Sequence, residues 1–459
     1  MTPDVCASMG WPWALLLAAA GAALQQGHAG GAAGTGASVP PGCRLAAGRD
    51  AGVVWLARQR RLQLRGGAAD ADADADAAEA AAAAPTMQEL MGPKSNIVQA
   101  IAAKVGRNLH NKVDHPLHII KTWIMQHFSE TFVGADGAPL FDLLDSLSPV
   151  VTTAMCFDDL LTPPDHPSRS RSDTYYLDET RLLRSHMTAH QTTLLREGRR
   201  SFLFAGDVYR RDAVDACHYP CFHQMDGVRV YSWQDLGVAS HEEAIPIVLE
   251  DLKTTLSGMV ASIFGDVEMK WVESTFPFTE PSLELEILFQ GKWLEVLGCG
   301  VMRSKILQNG SLFEHTGWAF GLGLERLAMI LFQVPDIRLF WTEDERFTSQ
   351  FVGAVASGRR ELKFEPFSKY PMCYKDVSFW HPAEFHENDF AELVRTVCGD
   401  LAEDVQKVDS FVHPKTQRHS SCFRICYRAM DRTLTNEEVD ALQAQFCAAL
   451  VAELSVELR

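Results

Sequence analysis

The sequence predicts an α+β protein: an antiparallel sheet flanked by helices, followed by a smaller β-α-β-β-α-β unit. Three observations carry this expectation. Alternating apolar and polar residues in FLFAGDVYRR (202–211) and CFHQMDGVRV (221–230) mark two strands, so residues 202–230 read as a long hairpin with a polar tip. The run WVESTFPFTEPSLELEILFQGKWLEVLGCGV (271–301) reads as successive antiparallel strands, with Gln290-Gly291-Lys292 as a turn, and GLGLERLAMILF (321–332) then switches to helical spacing. Past residue 362, strand and helix patterns follow one another in the order of a split βαβ, ferredoxin-like unit.

A chain of 459 residues has room for two or three domains, and 47 % hydrophobic with 22 % charged residues is ordinary for a protein with a sizeable core. The net charge of −17 argues against a surface coated in basic residues for nonspecific nucleic-acid binding, although a local basic face stays compatible with it. Eleven cysteines, an odd number scattered without a framework, favour a reducing compartment. Cys217 and Cys221, with His218 and His223 nearby, have poor spacing for a zinc knuckle and read as ordinary hairpin residues.

Residues 1–86 do not read as folded structure. An apolar run at 11–24 is too short to span a bilayer comfortably and lacks a basic flank, and residues 44–65 carry arginines with a single acid, Asp50, as an organellar transit peptide does. The acidic low-complexity stretch DADADADAAE (70–79) follows as a solvated spacer. The two stages in series suit a plastid, the arginine-bearing part alone a mitochondrion. An over-extended gene start is the alternative.

From Asn96 the spacing of Ile97, Ile101, Val105 and Leu109 predicts a helix, and a second amphipathic segment covers 117–128 after His115-Pro116. LLRSHMTAHQTTLLREG (182–198) is helix-like. In the C-terminal unit, strands are expected at 375–380, 405–412, 420–427 and 455–458, and helices at 388–398 and 436–450, the second with a capping-box start, TNEE. Between 415 and 432, Lys415, Arg418, Arg424, Arg428 and Arg432 face one acid, Asp431; the stripe reads either as an RNA face or as a solvated charge run.

The hairpin tip carries the chemistry. Arg210, Arg211 and Asp212 stand at one end and His223, Gln224 and Asp226 at the other, an anion clamp facing amide and carboxylate groups. Such a site suits a substrate with phosphates at one end and an amine at the other. Phe276 and Phe278 flank Pro277, so on a strand both rings share one face, where two rings can hold a third edge-to-face.

The stretch GDVYRRDAVDACHYPCFHQMDGVRV (206–230) resembles motif 2 of the class II aminoacyl-tRNA synthetases, in the form used by phenylalanyl-tRNA synthetases of the single-chain organellar type. FDDLLTPPDHPSR (157–169), LLRSHMTAHQ (182–191), FPFTEPS (276–282), WLEVLGCGV (293–301), GWAFGLGLER (317–326) and PDIRLFWTEDERF (335–347) extend the resemblance in unbroken order.

The resemblance implies a catalytic domain over 87–361 and a ferredoxin-fold anticodon-binding domain over 362–459. It implies ATP and Mg²⁺ as cofactors, L-phenylalanine and tRNA(Phe) as partners, a monomer without internal editing, no membrane association, and a place in the mitochondrial matrix or the plastid stroma. By position in the motifs, Arg210 contacts the α-phosphate of ATP, His218 faces the phosphates, Asp212 takes the adenine amine, and Phe222 and Arg326 sandwich the adenine. His186, Thr188, Gln191, Gln224 and Asp226 gather round the amino and carboxylate groups of phenylalanine. Phe276, Phe278, Ala319 and Gly321 line its ring, with Ala319 limiting space at the para position. Glu280 matches a carboxylate near the metal or is a plain surface acid, and Glu325 braces the site or binds metal. The family commonly has Glu where this chain has Asp212 and Asp226, and Ser at 188, which changes reach and bulk but keeps the chemistry.

Overall fold

The computed structural model describes residues 85–357, 361–366 and 370–459, so the expected targeting head lies almost wholly outside the described residues. Strands β1 (Asp142–Leu144), β2 (Val150–Thr152) and β3 (Arg181–Leu183) are short, and β2 and β3 pair in a ribbon of their own. Strands β4 (Ser201–Tyr209), β5 (Cys221–Ser232), β6 (Met269–Phe276), β7 (Thr279–Phe289), β8 (Lys292–Met302) and β9 (His315–Gly323) join β1 in a seven-stranded sheet of order β1-β4-β5-β9-β8-β7-β6. Every pair in it is antiparallel except β1–β4, which is parallel. β7 and β8 are joined by Gln290 and Gly291 alone, both with positive φ, and Lys292 already pairs with Phe289. A two-residue turn with both central residues left-handed matches the twist of the strands it joins.

One face of the sheet is covered by helices α1 (Pro116–Thr131), α2 (His241–Phe264) and α3 (Leu324–Phe332). α1 starts where Pro116 occupies the first turn and His115 Nδ1 accepts from the Leu117 amide at 3.3 Å. α2 starts on Ser240, whose hydroxyl accepts from the Glu243 amide, and buries Val248, Leu252, Leu256, Met259 and Ile263. The helix expected from Asn96 is instead one turn, Gln99–Ala102, because the chain bends at Gly106 and at Asn108, both with positive φ. Ile97, Ile101 and Leu109 are buried all the same, so their spacing recorded burial rather than a continuous helix.

The C-terminal unit runs β10 (Cys373–His381), α4 (Glu387–Cys398), β11 (Ala402–Val412), β12 (His419–Tyr427), α5 (Asn436–Leu454) and β13 (Glu457–Leu458). Its sheet has the order β11-β12-β10-β13, all antiparallel, with α4 and α5 packed on one face around Phe379, Phe390, Phe423 and Phe446. Thr435 and Glu438 form the capping box that starts α5. Four of the arginines read as a basic stripe are ion-paired: Arg418 with Glu457, Arg424 with Asp376, Arg428 with Glu403 and Arg432 with Glu438. As a continuous RNA face the stripe is therefore largely neutralised.

Beneath the larger sheet, Arg184 wraps the edge of β4. Its Nη2 meets Asp207 Oδ1 at 2.5 Å, its Nε donates to the Asp207 carbonyl at 2.6 Å, and its Nη1 reaches the Leu147 and Ser148 carbonyls at 3.0 Å each. Gly206 makes room, since a Cβ there would lie 2.3 Å from Arg184 Nη2. Both charged side chains are buried, so removing one leaves the other uncompensated. Arg184→Met is expected to destabilise the fold by about 3–5 kcal/mol in chemical denaturation, and a loss under about 1 kcal/mol would show the pair to be dispensable.

Candidate functional site

The site grows out of the alternation of β5. Phe222, Gln224, Asp226 and Val228 project from one face of the sheet, while His223 and Met225 project toward the helices. Cross-strand pairing sets Asp226 opposite Gly321 and Val228 opposite Ala319 on β9, and β9 in turn sets Gly321 opposite Gly298 on β8. Side chains are thus stripped from two positions beside Asp226, and a pocket forms there. Thr188, Asp226, Phe276, Phe278, Ala319 and Gly321 line it, with Thr279, Gly298, Cys299 and Phe320 completing its walls. A Cβ at Gly321 would sit 2.9 Å from Asp226 Oδ1, and one at Gly298 2.9 Å from Phe276 Cζ, so both glycines are needed for space. Gly298 and Thr279 were missed as site residues; the signal was the small-residue run GCG in an otherwise apolar strand.

Phe276 and Phe278 come together, but not by strand alternation. β6 ends at Phe276 and Phe278 lies in the turn to β7, which brings the rings to 6.0 Å and 9° from parallel. Opposite this apolar wall stands Asp226, almost wholly buried, with Oδ2 accepting from the Thr188 hydroxyl at 2.7 Å. Its other oxygen, Oδ1, has no hydrogen-bond partner. Burial pushes its carboxyl up to about 7, against the lowering effects of Thr188 and Arg210. An orphan carboxylate oxygen at the mouth of an apolar pocket is suited to an ammonium group attached to an aromatic side chain.

Around it, Thr188 stands on a 3₁₀ turn, Met187–His190, whose first amide donates to Gln224 Oε1 at 3.2 Å. Gln191 begins the next helical turn with its Oε1 buried and unpartnered. The helix-like reading of 182–198 is thus correct only from Met187 on, because β3 takes Leu182 and Leu183 and the three residues after it are not helical. His186 points Nε2 at the Cys156 thiol, 3.7 Å away, and burial followed by the charge of Arg210 brings its imidazole down to about 3. It is therefore a neutral ring at any physiological pH. His186, Gln191 and Gln224 flank the pocket rather than form its walls.

Arg210 leaves the end of β4 and turns back over this face. Its Nε donates to the Ser185 carbonyl at 2.7 Å and its guanidinium lies over the Phe222 ring at 5.1 Å. The Phe222 ring is thus accompanied by Arg210, whereas Arg326, on the first turn of α3, reaches Glu295 on β8 at 3.4 Å. In the loop joining β4 and β5, Asp212 Oδ1 accepts from the Ala213 amide at 2.7 Å. His218 holds Asp215 at 2.6 Å; burial opposes its charge, but Asp215 raises its affinity for a proton. Arg210 and His218 thus stand on either side of Asp212 along the chain, the second with its proton affinity raised by Asp215.

The two carboxylates considered for a metal do not meet. Glu280 is exposed and paired with Arg303 at 2.8 Å. Glu325 is buried, and its oxygens accept from the His223 amide at 2.8 and 3.0 Å and contact His223 Nδ1 at 2.7 Å. Of the two readings of Glu325, its geometry fits the brace: it fastens the start of α3 to β5 from the helical side of the sheet. Among the described residues no cluster of three or more histidines, cysteines or carboxylates has the geometry to hold a metal ion. No helix among them is long and apolar enough to cross a membrane.

The β4–β5 loop is also held from outside. Arg395 on α4 donates to the carbonyls of Asp212 and Ala213, Asn388 Nδ2 reaches the Arg211 carbonyl at 3.3 Å, and Arg211 pairs with Asp389 at 3.0 Å. Val214 is buried in the core of the C-terminal unit, and its carbonyl accepts from the Val405 amide.

Comparison with known proteins agrees with this geometry. The family model for the class II tRNA synthetase core domain (F) matches residues 109–351, and the ferredoxin-fold anticodon binding domain matches 368–459. The chain is 48 % identical over 389 residues to the mitochondrial phenylalanine–tRNA ligase of Mus musculus, covering 80 % of this chain and 86 % of that one. It is 49 % identical over 367 residues to the chloroplastic/mitochondrial phenylalanine–tRNA ligase of Arabidopsis thaliana, covering 80 % and 83 %. To the mitochondrial enzyme of Saccharomyces cerevisiae it is 37 % identical over 442 residues, covering 80 % and 92 %.

The raised carboxyl of Asp226 has a consequence for stability. Folding lifts it from an ordinary 3.8 to about 7, so the folded chain holds the extra proton between these values and loses stability as pH rises from about 4 to about 7. Asp226→Asn removes the titration. Urea denaturation of the ligand-free protein should then show the wild type losing about 2.6 kcal/mol between pH 5 and pH 8 relative to the variant. Parallel pH profiles for the two proteins would mean that Asp226 ionises freely.

Proposed function

Because the chain belongs to the phenylalanine–tRNA ligase family of class II aminoacyl-tRNA synthetases, we propose that it attaches L-phenylalanine to tRNA(Phe) for translation in an organelle. The relatives named mitochondrial or chloroplastic/mitochondrial support the mitochondrial matrix, or matrix and plastid stroma together, as its place of work. The observation that carries the assignment is the pocket itself: two stacked phenylalanine rings facing a buried carboxylate with one oxygen unpartnered. In this reading residues 87–361 perform the chemistry and 362–459 meet the RNA.

The phenylalanine ring enters between Phe276, Phe278 and Ala319, and its ammonium takes Asp226 Oδ1. Thr188, Gln191, Gln224 and the neutral His186 orient the amino and carboxylate groups, and Gly321 leaves the room they need. A carboxylate oxygen of the amino acid attacks the α-phosphorus of ATP, and pyrophosphate departs. The tRNA 3′-end hydroxyl then attacks the carbonyl of the adenylate, and AMP departs. Little covalent work falls to the protein, so the residues contribute position and charge. Arg210, fixed by the Ser185 carbonyl, is placed to neutralise the α-phosphate, with His218 beside the outer phosphates. Phe222 supplies the aromatic surface for adenine, Arg326 the opposite face, and Asp212 the acceptor for its amine. Mg²⁺, when bound, neutralises phosphate charge; with no preformed carboxylate cage among the described residues, the nucleotide's own oxygens would supply most of its ligands.

The test is phenylalanine-dependent ATP–pyrophosphate exchange. Exchange is expected with phenylalanine and much less with tyrosine, and Arg210→Ala should abolish it. Folded protein that exchanges with no aromatic amino acid would overturn the proposal. The same assay checks Asp226: the KM for phenylalanine should fall as pH rises toward about 7 and then level off, because only the ionised carboxylate pairs with the ammonium. A KM flat between pH 6 and pH 8 would place the ammonium elsewhere.

A further inference from the structure

The two rings that wall the pocket are carried where the strand ladder is interrupted. Phe276 on β6 pairs with Thr279 on β7, and the next pair along is Ser274 with Ser282, so Glu280 and Pro281 stand against the single residue Thr275. The same two residues interrupt the pairing of β7 with β8, where Thr279 meets Met302 and Ser282 meets Gly300. A bulge of this kind takes backbone groups out of the ladder and leaves them to find other partners.

One hydroxyl supplies them. Ser282 Oγ accepts from the Phe276 amide at 3.1 Å, donates to the Thr279 carbonyl at 2.9 Å and lies 2.7 Å from the Thr279 hydroxyl. A hydroxyl has one proton and two lone pairs. With the proton spent on the carbonyl, the Thr279 hydroxyl is the donor in the last contact, and every bonding position of Ser282 is used. Both side chains are buried. On the far side of the turn the Arg303 amide donates to the Phe278 carbonyl at 3.1 Å. Gly300 leaves room for this fastening, since a Cβ there would lie 2.4 Å from the Pro281 carbonyl oxygen and 2.7 Å from Thr279 Cβ. Phe276 and Thr279 are thereby tied together across the bulge, with Phe278 between them.

We propose that Ser282, which does not itself line the pocket, is a positioning residue for amino-acid selection: its hydroxyl holds Phe276 and Phe278 at the spacing that receives an aromatic side chain. Through them it sets the preference for phenylalanine over aliphatic amino acids. The proposal rests on the charging activity proposed above and deepens its account of the pocket. Two fixed rings give a third ring edge-to-face or offset contacts that a branched aliphatic chain cannot make. That advantage lasts only while the rings do not yield. Without the hydroxyl, the Phe276 amide loses its acceptor in a buried place, and relieving it moves the turn that carries both rings.

The experiment uses the full chain and compares pyrophosphate exchange supported by phenylalanine with that supported by leucine. In Ser282→Ala the KM for phenylalanine is expected to rise about five- to thirtyfold, the equivalent of one buried hydrogen bond, with the KM for ATP within about twofold of wild type. The kcat/KM for leucine should barely change, so the phenylalanine-to-leucine ratio falls by about the same factor as the KM rises. Ser282→Thr keeps the hydroxyl and should restore most of the ratio. Thr279→Val removes one donor while keeping the shape. It should shift the ratio in the same direction, and it decides the matter if Ser282→Ala does not fold. Thr316→Val is the control for general loosening: the buried Thr316 hydroxyl accepts from Trp233 Nε1 at 3.0 Å outside the pocket, and its loss should lower stability without moving the ratio.

An unchanged ratio in folded Ser282→Ala overturns the proposal, as does an equal shift in Thr316→Val, or a threonine variant no better than the alanine one. Calorimetric binding of phenylalanine and of leucine separates this from failure of the underlying activity. If the wild type binds phenylalanine but does not exchange, the ratio of dissociation constants in the same variants still decides. If it binds phenylalanine no better than leucine, both readings fall.

Discussion

The site depends on the register of β5. This strand pairs with β4 from Cys221 to Arg229 and with β9 from Gln224 to Ser232, so its side chains are assigned to opposite faces without freedom to adjust. A slip of one residue would turn Phe222, Gln224 and Asp226 into the helical core and send His223 and Met225 into the pocket. The Glu325 carboxylate, taking both the amide and the ring of His223, works against that slip from behind. A residue outside the pocket thereby decides which residues line it.

The same sheet shows why buried charge is tolerated so near the pocket. Asp207 is answered by Arg184, Tyr209 and backbone groups, and Glu325 by His223, so each buried carboxylate finds donors within its own neighbourhood. Asp226 is the exception, with a single donor in Thr188 and one oxygen left over. The cost is expressed as a carboxyl that keeps its proton to nearly neutral pH until a cation arrives. Among the carboxylates of this sheet the imbalance falls on the one that faces the pocket.

The sequence made the antiparallel part of the sheet legible because its strands, exposed on one face or flanked by turn residues, carried the period-two pattern, while the short β1 went unread. The two β-α-β halves of the C-terminal unit were legible for the same reason, together with the capping box at Thr435. Site residues on strands could be placed from alternation, as Gln224 and Asp226 show. What alternation could not give was geometry made by turns and by neighbours distant in sequence. The parallel rings of Phe276 and Phe278 come from a turn, the guanidinium of Arg210 lies over Phe222, and Glu325 is spent on His223. The apolar spacing from Ile97 to Leu109 was equally real as a burial pattern, yet two left-handed residues broke the helix it suggested. The arginine stripe of the C-terminal unit was visible as charge, while its acidic partners, from 376 to 457, were scattered too far along the chain to be matched to it.

The hold of the C-terminal unit on the β4–β5 loop bears on how the protein comes into being. Chains are synthesised from the N-terminus, and domains fold as they emerge. When the large sheet is complete on the ribosome, Val214 still lacks the core that buries it, and the Asp212 and Ala213 carbonyls still lack Arg395. The nascent chain therefore possesses the pocket beside Asp226 before it possesses a settled β4–β5 loop. The loop is settled by a part made later than the sheet that carries it, and the same order would be retraced if a precursor were threaded unfolded across a membrane and refolded on the far side.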